Sequence, residues 1–178
     1  GDHTYLFGFE ESYGYLSGTY ARDKDGVLAT MLICEMAAYY RLQGKSLYEA
    51  LMELYATYGT FREGLKSITL EGMDGVEKIK GIMADIRANL PSSLGGKKIL
   101  YTNDIKTSTR TSADGKTEKI DLPVSDVLLF EMEDDCWCAA RPSGTEPKMK
   151  FYFGVKADSV EEAESILKEM DNDVSKYL

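Results

Sequence analysis

Lys148-Met149-Lys150-Phe151-Tyr152-Phe153-Gly154-Val155-Lys156 is the stretch from which the architecture of this 178-residue chain is read. Met149, Phe151, Phe153 and Val155 alternate with Lys148, Lys150, Tyr152 and Lys156, the period of two that marks a strand with one buried face. The lysine-bearing face then meets water or a ligand. Just downstream, Ser159 and Glu162 have capping-box spacing, and Val160, Ala163, Ile166, Leu167 and Met170 supply the stripe of a final helix. Its seven acids between Asp158 and Asp173 form a solvated outer face. Upstream, Val127 to Met132 and Cys136 to Ala140, joined by Glu133-Asp134-Asp135, read as a hairpin.

Further out, Lys97 to Tyr101 is a short strand. Thr102 to Pro123, polar with Asp114-Gly115 at its centre, reads as a long loop or flap. Before it, Val76, Ile79, Met83, Ile86 and Leu90 step by three and four and stop at Pro91. This is a helix N-capped by Asp74, with Glu77 at the third position. A strand from about Glu63 to Leu70 precedes it. The order β-α-β-β-β-β-α predicts an α+β domain, an antiparallel sheet with helices on one face.

The first third differs. Tyr5 to Phe9 reads as a strand running into a polar and aromatic loop, Glu10 to Tyr15, closed by Gly18. Asp25 caps a helix from about Gly26 to Gln43, stopped by Gly44. Its apolar residues, Val27, Leu28, Met31, Leu32, Met36, Ala38, Tyr39 and Leu42, spread so widely that burial is expected. Ser46 and Glu49 open a second helix with Leu47, Leu51, Leu54, Tyr55 and Tyr58, ended by Gly59. One strand and two helices do not close a core, so this part reads as the truncated end of an α/β domain whose other strands lie upstream. The abrupt start, Gly1-Asp2-His3 without an initiator Met, agrees with that expectation.

Composition bounds the function. No run of about 18 apolar residues spans a membrane and no signal peptide opens the chain, which makes cytoplasmic the default. Three cysteines and 8 methionines fit a reducing compartment, and Cys136-x-Cys138 on a strand points one way, for packing. A net charge of -9 argues against a nucleic-acid partner, so any bound anion must be held locally. There is no internal repeat.

Two loops could do chemistry. Arg141-Pro142-Ser143-Gly144-Thr145-Glu146-Pro147-Lys148 lies between two strands. Gly144 allows successive N–H groups to converge, Ser143 and Thr145 add hydroxyls, and Arg141 offers a bidentate fork, with Lys148 and Lys150 gathered near. An ordinary Pro-Ser-Gly hairpin loop is the simpler alternative, but so much positive charge in an acidic protein favours an anion cradle. The second is Phe9-Glu10-Glu11-Ser12-Tyr13-Gly14 with Arg22-Asp23-Lys24-Asp25-Gly26. A carboxylate can accept from two sugar hydroxyls while Lys24 meets a phosphate. Solvated acids beside a helix cap would explain the same residues. Asp23-x-Asp25-Gly26 is no calcium loop, since Cys34 stands where the closing Glu belongs. Gly95-Gly96-Lys97-Lys98 lacks the parts of a P-loop. His3, the single histidine, has no partner in the sequence, and no Ser-His or Cys-His nucleophilic pair can be assembled.

Arg141 to Lys148 is similar to the phosphate-binding loop of the α-D-phosphohexomutase family. Gly8-Phe9-Glu10-Glu11-Ser12-Tyr13-Gly14-Tyr15-Leu16 and Asp23-Lys24-Asp25-Gly26-Val27 resemble its sugar-binding loop region, in the form seen in bacterial phosphoglucomutases and phosphomannomutases. The resemblance covers the whole chain. It implies that residues 1–58 end the family's third, sugar-binding domain and that residues 59–178 form the fourth, phosphate-binding domain. It further implies an isomerase of carbohydrate metabolism, an intramolecular phosphotransferase interconverting glucose 1-phosphate and glucose 6-phosphate. A phosphoserine, a sugar bisphosphate intermediate that also activates, and Mg2+ would carry the transfer. No Thr-x-Ser-His-Asn-Pro-like or Asp-Gly-Asp-x-Asp-Arg-like segment occurs in these residues. The resemblance therefore assigns no catalytic or metal-ligating residue here, and implies a chain inactive alone that needs the N-terminal domains of the same enzyme. By carry-over, Glu10 and Ser12 contact sugar hydroxyls, Lys24 assists at the substrate end, and Arg141, Ser143, Gly144 and Thr145 hold the non-transferring phosphate of a hexose phosphate. Phosphomannomutase, phosphopentomutase and a non-enzymatic anion-binding module are the alternatives.

Overall fold

The computed structural model describes residues 3–10, 13–70, 74–144 and 146–177. The chain divides into two compact units, Gly1–Thr57 and Tyr58–Leu178.

In the first unit the expected single strand is an antiparallel hairpin. Strand β1 (Phe7–Phe9) pairs with β2 (Tyr15–Ser17), Gly8 opposite Leu16. The Phe7 and Tyr15 rings lie 6.2 Å apart, a cross-strand aromatic contact that period-two reading of a three-residue strand does not reveal. Helix α1 (Gly26–Leu42) starts at Asp25, whose carboxylate accepts from the Val27 and Leu28 N–H groups at 2.9 and 3.0 Å. Arg41 sits in its last turn, where a cation suits the helix dipole, and Gly44 (φ +74°) lies beyond its end. Contrary to expectation, α1 has no buried residue: Val27 is 82% and Leu42 91% exposed. Of the neighbouring elements it is β2, three residues long, that packs against it, too little to cover so wide an apolar surface. Helix α2 (Leu47–Tyr58) opens with the predicted reciprocal box, Ser46 N–H to the Glu49 carboxylate at 2.7 Å and Glu49 N–H to Ser46 Oγ at 3.2 Å.

The second unit is an antiparallel sheet in the order β3-β10-β9-β8-β5-β6-β7, with β4 attached to β5. The strands are β3 (Thr60–Thr69), β4 (Ser93–Leu94), β5 (Lys97–Asp104), β6 (Thr109–Ser112), β7 (Thr117–Lys119), β8 (Leu128–Met132), β9 (Trp137–Pro142) and β10 (Lys148–Ala157). Helix α3 (Gly75–Ala88) contributes Ile79, Met83 and Ile86 to the core, and α4 (Val160–Val174) contributes Ala163, Ile166 and Met170. Both sets join Met149, Phe151, Phe153 and Val155 of β10 and Cys138 and Ala140 of β9 in one cluster. The helices therefore cover one face of an α+β sheet. Each large apolar side chain buried there contributes roughly 1.5–3 kcal/mol.

Three further differences from the sequence reading have physical reasons. Thr102 to Pro123 is no flap: β5 runs on to Asp104, then β6 and β7 form a hairpin about Gly115 (φ +85°). Threonine-rich strands suit the pleat, but their faces are wet, so no apolar alternation announces them. Asp74 makes no side-chain cap; its carboxylate pairs with Lys78 one turn on, at 2.6 Å. Gly95-Gly96 is the two-residue turn joining β4 to β5, both glycines at positive φ, and a Cβ on Gly95 would stand 2.6 Å from Met170 Cγ.

Candidate substrate-binding site

The loop between β9 and β10 is held at its neck by its own backbone. Ser143 N–H donates to Lys148 O and Lys148 N–H to Glu146 O, both at 2.7 Å, while Leu70 N–H donates to Pro147 O at 2.9 Å and ties the loop to the end of β3. Glu146 N–H reaches Ser143 Oγ at 3.3 Å. Gly144 is exposed and not at positive φ, so turn geometry does not demand glycine there; a Cβ would project into open space. What glycine provides is room for a ligand to approach the backbone. Thr145, expected to add a hydroxyl, lies outside the described residues, as do Glu11 and Ser12.

Arg141, Ser143 and Gly144 line a cavity of about 330 Å³, with Lys80 of α3 and with Ser125 and Asp126, which precede β8. Most charges here are already matched. Lys80 bonds Glu77 at 2.7 Å, Asp126 meets Arg87 at 2.6 Å, and Glu146 bonds Lys148 at 2.9 Å, which holds the Glu146 carboxyl below its usual range. Among the described residues, Arg141 is the charged group of the lining that makes no ion pair. Lys148 and Lys150 both stand near enough to Glu146 to lower its carboxyl, so of the expected cations Arg141 is the one without an ion pair among the described residues. Lys148 is taken by Glu146, and Lys150, opposite Arg141 in register, has its ammonium 5.8 Å from the Tyr152 ring centroid. A guanidinium, a hydroxyl and an uncrowded glycine backbone around one hollow can hold a phosphate monoester.

In the first unit, Glu10 leaves the hairpin at the end of β1, its N–H bonded to Gly14 O at 2.8 Å. Lys24 bridges Glu10 at 3.5 Å and Asp23 at 3.0 Å. The Asp23 bond and charge, with a smaller contribution from Glu10, raise Lys24, and Lys24 lowers Asp23. Both groups are solvent-exposed and charged at neutral pH. Gly14 lies directly beneath the Lys24 stem, so any side chain there would displace the lysine. Asp25 is occupied as the α1 cap and by the Tyr20 hydroxyl, which together hold it below the ordinary range. It is a structural residue. Glu10, Asp23, Lys24 and Arg22 line a second hollow, of about 250 Å³, open to solvent. Carboxylate and ammonium side by side suit a polyol carrying an anionic group.

Residues 1–58 match the family description "Phosphoglucomutase/phosphomannomutase, alpha/beta/alpha domain III". A phosphoglucomutase of Staphylococcus haemolyticus is 36% identical over 160 residues, covering 89% of this chain and 29% of that protein. A phosphoglucomutase of Staphylococcus aureus strain MRSA252 is 42% identical over 152 residues, covering 85% and 27%. The chain belongs to the α-D-phosphohexomutase family. It spans under a third of the length of the relatives it matches. Among solved structures, the open form of parafusin from Paramecium, an exocytosis-sensitive phosphoprotein titled a phosphoglucomutase, shares the fold. Its TM-score is 0.59 at 16% identity, over 94% of this chain and 28% of that one.

For a phosphohexomutase chain, two further points concern what these residues can hold. Among the described residues no group of three or more His, Cys, Asp or Glu side chains is placed to bind a metal ion. No helix among them is long and apolar enough to cross a membrane. Sequence reasoning missed Lys80, Ser125 and Asp126 as walls of the hollow beside Arg141. Their approach to Arg141 follows from β8 lying beside β9 and from α3 packing on β9 and β10, and no local pattern encodes it.

Proposed function

We propose that this chain is the C-terminal part of a phosphoglucomutase, an isomerase that interconverts glucose 1-phosphate and glucose 6-phosphate through a phosphoserine and a sugar bisphosphate. In this reading residues 1–58 end the third domain and residues 59–178 are the fourth. The observation that carries it is Arg141, a guanidinium with no ion pair among the described residues, beside Ser143 and Gly144 on the wall of a hollow wide enough for a phosphate. Arg141, Ser143, Gly144 and Thr145 hold the phosphate that is not transferred, while Glu10 and Ser12 contact sugar hydroxyls and Lys24 assists at the substrate end.

The remaining N-terminal domains of the same cytoplasmic enzyme supply the phosphoserine and the Mg2+ that neutralises charge on the transferring group. The exposed Val27, Met31 and Leu42 of α1 support such a partner, since apolar surface of this extent is ordinarily covered. The test is direct: the full-length protein should convert glucose 1-phosphate to glucose 6-phosphate, and the 178-residue chain alone should not. Turnover by the chain alone would refute the division of labour.

A further inference from the structure

Asp126 is out of place in a phosphate hollow. A carboxylate on the wall repels a phosphate dianion, and the hollow is small enough that a ligand in it lies within roughly 7 Å of every wall group. At that separation an uncancelled unit charge changes affinity on the order of tenfold. Two cations outside the lining claim its oxygens. Arg87 Nη2 donates to Oδ1 at 2.6 Å, and Lys106 Nζ stands 3.7 Å from Oδ2. Arg87 also donates through Nε and Nη2 to the two Asp104 oxygens at 3.0 and 3.2 Å, so its fork is anchored on β5. It sits in the last turn of α3, two turns beyond Lys80, with its side chain only 19% exposed. Burial works against its charge, but the hydrogen bonds it donates to Asp104 and Asp126 outweigh this and keep it firmly protonated.

We infer that Arg87 is a positioning residue of the phosphate site: anchored by Asp104, it neutralises and fixes Asp126, so that Arg141 can act on a phosphate without an opposing carboxylate. Lys106 shares the task from the solvent side. This rests on the proposed phosphate-binding reading and deepens it. A guanidinium is required because one planar fork must serve two carboxylates at once, which an ammonium does with worse geometry.

The experiment uses the full-length protein, with KM and kcat measured for glucose 1-phosphate and melting followed in parallel. Arg87→Gln should raise KM about tenfold, Arg87→Lys should raise it less, and Arg87→Gln with Asp126→Asn should return KM to within about twofold of wild type. Because the double variant still deprives Asp104 of both Arg87 hydrogen bonds, its melting temperature should stay lowered. Rescue of KM without rescue of stability is what a merely structural arginine would not show. If Arg87→Gln does not fold, Lys106→Gln at the exposed end of the network replaces it: KM should rise about twofold, and not at all on an Asp126→Asn background. Equal effects of Lys106→Gln with and without Asp126, or no KM rescue in the Arg87 double variant, would overturn the inference. Arg141→Ala separates the two levels: if it leaves KM unaltered the phosphate-site reading itself fails, whereas a raised KM with an inert Asp126 removes only the role of Arg87.

Discussion

Arg141→Ala in the full-length protein tests the site at the point where the charge balance leaves one group free. Arg141 has no ion pair among the described residues, and its partner in register, Lys150, is directed over the Tyr152 ring. The guanidinium is therefore available to donate to a ligand without first breaking a bond. Removing a charge-assisted hydrogen bond costs about 1.5–3 kcal/mol. Under the proposed phosphoglucomutase activity this predicts a fall in kcat/KM for glucose 1-phosphate of roughly tenfold to 150-fold. Arg141 is exposed and outside the core, so unfolding free energy should move by no more than about 0.5 kcal/mol. Lys150→Ala is the matched control, also removing one cation from the same strand pair but none from the cavity wall. It should change kcat/KM by less than about twofold. Steady-state kinetics on the two variants, with melting curves alongside, decide the matter. If Lys150→Ala costs as much as Arg141→Ala, general positive potential holds the phosphate and the geometric cradle is wrong.

Two other predictions concern the scaffold. Of the three thiols, Cys34 is exposed whereas Cys136 and Cys138 are buried, burial raising both and pushing Cys138 up to about 12, so iodoacetamide at pH 8 should label Cys34 alone in the folded protein; modification of Cys138 without denaturant would contradict the core assignment. The same burial makes stability fall with pH: the unfolded chain releases the Cys138 proton above its ordinary value near 9 while the folded chain retains it to about 12, so wild type should lose stability relative to Cys138→Ala across that window and not below it. Gly154→Ala places a methyl group against the Trp137 indole and should destabilise by about 1–3 kcal/mol in urea titration, with recovery when Trp137→Leu is added; an unchanged midpoint in the single variant would refute the close packing.

How far the fold was legible varied with how strongly one face of each element is buried. Strand β10 and helices α3 and α4 were readable because their apolar residues recur at two or at three and four, and those residues are the core. The N-terminus of α1 was readable for a local reason, a carboxylate two and three residues ahead of free N–H groups. The β6–β7 hairpin was not, because Thr109-Arg110-Thr111-Ser112 and Thr117-Glu118-Lys119 have no buried face to impose a pattern. Nor was β2, whose three residues are recognised only by pairing with β1.

For the site, the sequence by itself determined the loop chemistry. Arg141, Ser143 and Gly144 are contiguous, and so are Asp23 and Lys24, because a turn needs only neighbouring residues to present its groups. Tertiary structure decided which charges are free. Lys80 with Glu77 and Lys148 with Glu146 are pairs of near neighbours in the chain, but Asp126 is paired only because folding brings Arg87 and Lys106 to it from 39 and 20 residues away. Charge in sequence is a count; its balance at one point in space depends on distance, which for Asp126 the packing of α3 on β9 and β10 sets.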